Sequence, residues 1–352
     1  MKPWLSKVNR FEPSLLDRSK FLRLDKNERV INFEKKFLNF LKKKLNTFNI
    51  TAYPETAKIK KLISKKIKVN YKNIFISAGS DISLKTCFEV YTKNNDKVIV
   101  LNPTFGMVDV YCGLYNLKQV KINYDKNLKL NYKKLFENIT KKISLIVLAN
   151  PNSPTGTIID HQIMLRILKK TKKLSIPLVI DEAYAGFYKR SYIKFINKFN
   201  NLIIIRTFSK SFGLAGLRAG YAVGNFQNIK IMNKFRPMYE INSISCLAIE
   251  FLLKNTSLVK KNIIEIEKSK KFLVKELTKL NIKFINTHAN FFHIKLGRNI
   301  EKLEKKFKKK GILFRKGPGV KGFEKYSRFG LGSVEQMKKV LKLVKNVSKK
   351  NW

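Results

Sequence analysis

Five short runs of β-branched and aliphatic residues, each closed by a turn, constrain the fold of this 352-residue chain more than anything else in it. They are "NIFISAGSD" (73–81), "KVIVLNPTFG" (97–106), "SLIVLANPNSPTGT" (144–157), "IPLVIDEAY" (176–184) and "NLIIIRTFSK" (201–210). Nearly continuous apolar runs of this kind suit strands buried on both faces. Their alternation with helical stretches predicts an α/β fold around a mostly parallel central sheet. Asp81, Asn152, Asp181, Tyr184, Ser209 and Lys210 all fall just past the carboxyl ends of the predicted strands. In open α/β sheets that edge is where ligands bind.

The flanking segments read differently. Residues 1–30 form an irregular arm containing Pro3 and Pro13, and lysine-rich amphipathic helices are expected around 33–45 and 55–68. After residue 240 a long helical stretch (242–280) leads into an alternating strand, "FINTHANFFHIKLG", and two short ones, "GILFRKGPG" and "YSRFGLGS". The expected division is an arm (1–32) joining the small domain, a large domain (33–242) and a smaller α+β domain (243–352).

The formal charge of +50 raises the possibility of a nucleic-acid partner. Of the 74 basic residues only 12 are arginine, and the lysines are scattered along the chain in pairs and triplets. No tail, single stripe or aromatic-interleaved basic cluster emerges, which argues against a nucleic-acid function and for a solvated basic surface. Abundant Asn, Ile and Phe beside Lys point the same way, since all four have A/T-rich codons. Cys87, Cys112 and Cys246 are far apart and odd in number, and the three histidines are spread out, so no disulfide framework or metal site is expected. The amino-terminal stretch has no apolar signal core, and no apolar run nears the roughly 18 residues a membrane span needs. A soluble cytoplasmic protein without a membrane partner is expected.

Three features of the strand-end residues suggest a chemistry. Lys210, beside small and glycine-rich residues, is placed to lose solvation, which lowers a lysine pKa towards that of a nucleophilic amine able to form a Schiff base. Asp181 follows "LVI" at its own strand end, where a buried carboxylate needs a cationic or strong donor partner. Arg218, Ser209 and Ser80 offer guanidinium and hydroxyl donors, and Gly79-Ser80-Asp81 opens a helix whose first amides are free, together suiting a phosphate. A Schiff-base lysine, a buried carboxylate and a phosphate cradle are what pyridoxal 5′-phosphate requires.

The ordered series "YPE" (53–55), "SAGSD" (77–81), "NPTFGM" (102–107), "NPNSPTG" (150–156), "DEAY" (181–184) and "RTFSKSFGLAGLRAG" (206–220) resembles the class I/II, fold-type I pyridoxal-phosphate aminotransferases. "LRLDKNE" (22–28), "GILFRKG" and "RFGLG" extend the likeness over nearly the whole chain, within which the histidinol-phosphate aminotransferase group is most similar. The resemblance implies that Lys210 binds the cofactor aldehyde and shuttles a proton, Asp181 pairs with the ring nitrogen, and Tyr184 hydrogen-bonds the ring hydroxyl. It further implies that Phe105 stacks on the ring and that Gly79, Ser80, Asp81, Ser209 and Arg218 hold the phosphate. Tyr53 would reach the phosphate of a neighbouring subunit, so a homodimer is expected. Arg328 and Arg315, with Asn27 and Trp4, would contact an anionic substrate. The amino group would pass between an amine, first histidinol phosphate, and a 2-oxo acid such as 2-oxoglutarate. An aminotransferase of another pathway and a decarboxylase acting on threonine phosphate are the alternatives within the family.

Departures from the group's pattern are specific. Ser153 stands where an asparagine commonly precedes "PTG", with Asn152 one residue earlier, so the ring-hydroxyl contact falls to one or the other. Trp4 replaces a tyrosine, Lys26 replaces a small residue, and Arg236 and Glu240 enter a segment that is apolar in the group.

Overall fold

The computed structural model describes residues 2–10, 15–297 and 299–348; Pro13 of the expected arm lies outside them. Thirteen strands occur among the described residues. In chain order they are β1 (Leu22–Arg23), β2 (Ile74–Ser77), β3 (Lys97–Asn102), β4 (Lys118–Asn123), β5 (Ile143–Ala149), β6 (Leu178–Asp181) and β7 (Leu202–Thr207). They continue with β8 (Gly220–Gly224), β9 (Phe284–Asn286), β10 (Phe291–Lys295), β11 (Ile312–Leu313), β12 (Arg315–Lys316) and β13 (Tyr326–Gly330).

The central sheet has seven strands in the order β2-β8-β7-β6-β5-β3-β4. All are parallel except β8, which runs antiparallel to both β2 and β7. The five apolar runs become β2, β3, β5, β6 and β7, and side chains from both of their faces are buried. On one face Ile146, Leu148, Ile180 and Ile204 pack under the helices Ala57–Ile67, His161–Lys173 and Ser243–Lys254. On the other, Val147, Val179, Ile203 and Ile205 meet the helices Ser80–Tyr91 and Gly106–Leu114. Each such side chain contributes about 1.5–3 kcal/mol by leaving water, which is why the sequence leaves almost no polar residue inside these strands.

A separate core forms where β9, β10, β13 and β12 make a four-stranded antiparallel sheet against the helices Thr256–Lys279, Ile300–Lys309 and Val334–Ser348. The arm is bound to it: β1 pairs in parallel with β11, and Leu24 is wholly buried among Phe292, Phe307 and Phe329. The expected single helix over 242–280 is two, Ser243–Lys254 and Thr256–Lys279, broken at Asn255. The expected alternating strand is a β9–β10 hairpin turning at Thr287–Asn290.

Candidate active site

Register brings the functional loops together. Asp181 lies opposite Ala149 of β5 and Ile205 of β7, so the turns after these three strands open side by side at one sheet edge. The turn after β2 joins them through β8, whose Gly220 pairs with both Ser77 and Thr207. Gly220 has to be glycine here, because a Cβ would stand 2.3 Å from the Ser80 nitrogen.

That contact seats the start of the helix Ser80–Tyr91 directly against β8. Gly79, at φ 87, turns the chain into this helix, and no side chain caps its first turn. The Arg218 guanidinium lies against Gly79, where an added Cβ would be 2.6 Å from Nη2. Gly79, the uncapped amides, Arg218 and the buried Ser209 thus form a cationic, donor-lined hollow of the kind that takes a phosphate.

Asp181 is 8% exposed, and its Oδ1 accepts one hydrogen bond, from Ala183 N at 2.9 Å. Burial, and after it the neighbouring Asp81 and Glu182 carboxylates, outweigh that donor and raise Asp181 to about 7. Glu182, the next residue, points the other way, as alternation along a strand demands. It takes hydrogen bonds from Arg206 Nη2 and Ser191 Oγ, each at 2.8 Å, and from Tyr192 N at 2.7 Å. One carboxylate of the pair is therefore saturated and braces the sheet, and no salt bridge reaches the other among the described residues.

Lys210 is pulled down to about 8, by burial first and then by Arg328, with Arg218 adding to the effect against Glu28 and Asp181. Its Nζ donates to the Lys26 carbonyl at 3.0 Å. Tyr184 Oη accepts from Asn27 Nδ2 at 2.9 Å, and its ring meets Phe291 edge-on at 5.6 Å. Phe105, at the head of the helix Gly106–Leu114, keeps 37% of its surface exposed and so has a free aromatic face. Arg328 donates from Nη2 to the Asp25 carbonyl at 3.1 Å and sits over the Phe291 ring. Its cross-strand partner is Arg315, so two cations stand directly opposite each other on β13 and β12. Asp81 Oδ1, Asn27 Oδ1 and Arg328 Nε are buried without a hydrogen-bond partner among the described residues, an arrangement that a polar ligand would complete.

The comparisons with known proteins bear on this geometry. The family model "Aminotransferase class I and II" matches residues 21–344. The chain belongs to the class I and II aminotransferases. It is 34% identical over 322 residues to a histidinol-phosphate aminotransferase of Buchnera aphidicola, covering 88% of this chain and 89% of that one. It is 32% identical over 316 residues to the protein of the same name from Caldanaerobacter subterraneus, covering 88% of each. Among solved structures, the histidinol-phosphate aminotransferase of Sinorhizobium meliloti in complex with pyridoxal-5′-phosphate has a TM-score of 0.86 at 20% identity, with 99% of this chain and 97% of that one covered.

Two of the expected site residues lie elsewhere in this aminotransferase. Trp4 sits in a short helical turn, Pro3–Lys7, and donates its indole N–H to the Leu114 carbonyl at 3.1 Å, so it anchors the arm to the helix Gly106–Leu114. An indole has one donor, and here that donor is spent. Asn152 donates both Nδ2 hydrogens, to the Pro103 carbonyl and Thr155 Oγ1, and accepts from Thr104 Oγ1, all at 2.9 Å. It holds the "NPNSPTG" turn against the turn after β3. Ser153 is half-exposed and close enough to hydrogen-bond the Tyr184 hydroxyl.

Tyr53 is 71% exposed and stacked on Tyr239 with ring centroids 3.8 Å apart. His293 was not singled out by sequence reasoning. It pairs with Arg328 across β10 and β13, and its Nε2 hydrogen-bonds the Pro154 carbonyl at 2.9 Å. Burial, and then Arg328, push it down to about 3, so it is a neutral brace between the anion-facing strands and the "NSPTG" turn. Alternation along "FFHIK" puts it with Phe291 and Lys295, opposite Phe292 and Ile294 of the small core, so the sequence pattern did not mark it as buried.

Proposed function

We propose that this aminotransferase moves an amino group between histidinol phosphate and a 2-oxo acid such as 2-oxoglutarate, with pyridoxal 5′-phosphate as cofactor. The observation that carries the reading is the pair Arg315 and Arg328, opposed across β12 and β13 on the same side of the molecule as Lys210. Two guanidiniums side by side, in a cavity also lined by Lys26, Lys305, Lys308 and Lys316, make a cationic site that suits a phosphate monoester. The names of the relatives that are 32–34% identical agree with it. They also leave the decarboxylase alternative unfavoured.

The residues fit the cofactor. Arg218, Ser209 and the amides after Gly79 hold its phosphate, and Phe105 covers the ring face. Tyr184, with Ser153 beside it and Asn27 behind, meets the ring hydroxyl. Asp181 has no salt bridge among the described residues, and a protonated ring nitrogen would supply its counter-charge and favour the ionised carboxylate. When bound, pyridoxal phosphate supplies an aldehyde that takes up the amino group and a ring that withdraws electrons from the substrate Cα. Lys210, whose amine is free in useful proportion near neutrality, would take the Cα proton on Nζ and return it to the carbon on the far side of the transferred nitrogen, two bonds away. Arg328 and Arg315 hold the substrate anion and fix which Cα bond faces the lysine.

We further propose a homodimer in which Tyr53 serves the partner's phosphate site, and a division into arm, large domain and small domain in which the helix Ser243–Lys254 stays with the large domain, past the expected boundary at 242, because Ala248, Ile249 and Leu252 pack in the central-sheet core. An exposed apolar patch of Phe48, Ile50, Tyr53, Phe235, Met238 and Tyr239 supports the dimer.

The test is direct. Protein loaded with the cofactor should show a visible absorbance band that borohydride bleaches and that Lys210→Ala lacks. Mixed with histidinol phosphate in a single turnover, the band should vanish, and 2-oxoglutarate should restore it. Loss of the band with other amines but not with histidinol phosphate would refute the substrate while leaving the cofactor chemistry standing.

A further inference from the structure

We infer that Arg18 is a positioning residue for this site: it clips the turn Asp25–Glu28 shut, and the turn aims Arg328, Lys210 and Tyr184. The inference rests on the roles just proposed for those three residues.

Three consecutive arm residues each meet a different one of them. The Asp25 carbonyl accepts from Arg328 at 3.1 Å, the Lys26 carbonyl from Lys210 at 3.0 Å, and Asn27 Nδ2 donates to Tyr184 at 2.9 Å. Asn27 does this at φ 53, a left-handed conformation that a non-glycine residue keeps only when its surroundings hold it. From the inner side, Asn290 Nδ2 donates to the Asn27 carbonyl at 3.1 Å, and Leu24 is pinned through Leu313 O and Gly330 N.

The outer side is held by Arg18. A single nitrogen, Nη2, reaches Asp25 Oδ1 at 2.6 Å and also Glu28 Oε1, the residues on either side of Lys26-Asn27. Arg23 Nε adds a longer contact to Glu28 at 3.5 Å. The Arg18, Asp25 and Glu28 side chains are only 22%, 13% and 18% exposed, so water screens this cluster less than an open surface pair. Arg18 is itself fixed, since it opens the helical turn Arg18–Lys20, where Asp17 accepts from Ser19 N. Without Arg18 the two carboxylates repel each other across the turn and drive it open. The same residues wall a cavity of about 760 Å³ shared by Arg18, Asp25, Lys26, Arg315 and Arg328, which places the clip beside the proposed anion contact.

The test uses cofactor-loaded enzyme carrying Arg18→Gln or Arg18→Lys. In R18Q the KM for histidinol phosphate should rise about tenfold, because Arg328 loses the Asp25 carbonyl. The kcat should fall about threefold, because the free Lys210 amine loses its acceptor, while cofactor affinity should fall less than the KM rises, since Ser80, Ser209 and Arg218, which would hold the cofactor phosphate, sit on other elements. R18K should recover part of both losses, and adding Glu28→Gln to R18Q, which removes the repulsion, should also recover part of them. Hydrogen–deuterium exchange of cofactor-free protein reads the clip without any substrate: R18Q should speed exchange over residues 24–28 and leave residues 79–82 alone. A failure of the substrate reading would show in the unmodified enzyme and not in this exchange pattern. Unchanged exchange over residues 24–28, or a lowered Tm with KM and kcat intact at working temperature, would overturn the inference.

Discussion

Asp181 and Lys210 are stressed in opposite senses by the same burial, and each is relieved by what the site binds. For Asp181 the rise to about 7 corresponds to a penalty on the ionised form on the order of 4 kcal/mol. Because its folded pKa lies above the unfolded value, the favourable contribution is complete below the usual carboxylate range and is lost as pH climbs through about 7. Cofactor-free Asp181→Asn should therefore melt several degrees higher than the unmodified protein at about pH 8, less than half as much higher at about pH 5, and little differently at about pH 3.5. The same variant loaded with cofactor should lose about two orders of magnitude in kcat, since the ring nitrogen loses its counter-charge. Equal melting temperatures at about pH 8 would mean that the carboxylate carries no such penalty. For Lys210 the sign is simpler: the amine is freed as pH rises through about 8, so capture of added cofactor by cofactor-free protein should speed up across that range. Stopped-flow absorbance against pH checks it, and a flat profile from about pH 7 to 9 would contradict the lowered value.

At the scale of elements the active site depends on β8 and the helix Ser80–Tyr91 touching. Gly220→Ala places a methyl group 2.3 Å from Ser80 N and 2.6 Å from the Gly79 carbonyl carbon, both backbone atoms that cannot swing aside. The variant should weaken cofactor affinity at least tenfold and cost about 1–3 kcal/mol in stability, measured by equilibrium dialysis and denaturant unfolding. Intact cofactor affinity would show that the two elements separate without harm to the phosphate hollow. The five buried strands were legible because each apolar run is continuous and ends in a turn. Two others were not. β4, "KQVKIN", is an edge strand whose lysines face water, so it lacks the apolar run that marks a strand with two buried faces. β8, "GYAVG", is bounded by two glycines, of which Gly220 is required by packing against Gly79 and Ser80, and in the sequence they read as a loop. The site was legible wherever one residue type is chemically necessary, as at Lys210, Asp181 and Arg218. It was illegible at Trp4 and Asn152, where a side chain able to bind a ligand is instead used up by carbonyls and hydroxyls far away in sequence.

At the scale of the whole molecule, Tyr53 is the residue whose surroundings call for a second subunit. It stacks on Tyr239 in an exposed apolar patch with Phe48, Ile50, Phe235 and Met238, and a patch of that kind is costly in water unless something covers it. In the proposed homodimer a two-fold related copy would cover it with the same patch and carry Tyr53 towards the partner's phosphate hollow. Lysine-rich surfaces repel each other at a net charge of +50, so association should tighten as salt rises, the reverse of a nucleic-acid complex. Sedimentation across a salt series reads that sign, and Met238→Asp should shift the protein towards monomer. The sharing of sites has its own test. Tyr53→Ala and Lys210→Ala proteins are each crippled, one in the residue given to the partner and one in the residue kept. Unfolded together and refolded, they form mixed dimers in which one site receives both an intact Lys210 and an intact Tyr53. Random assortment should then restore about a quarter of the native sites. If Tyr53 instead serves its own chain, no mixed dimer holds a complete site, and the refolded mixture should be no more active than the average of its two components.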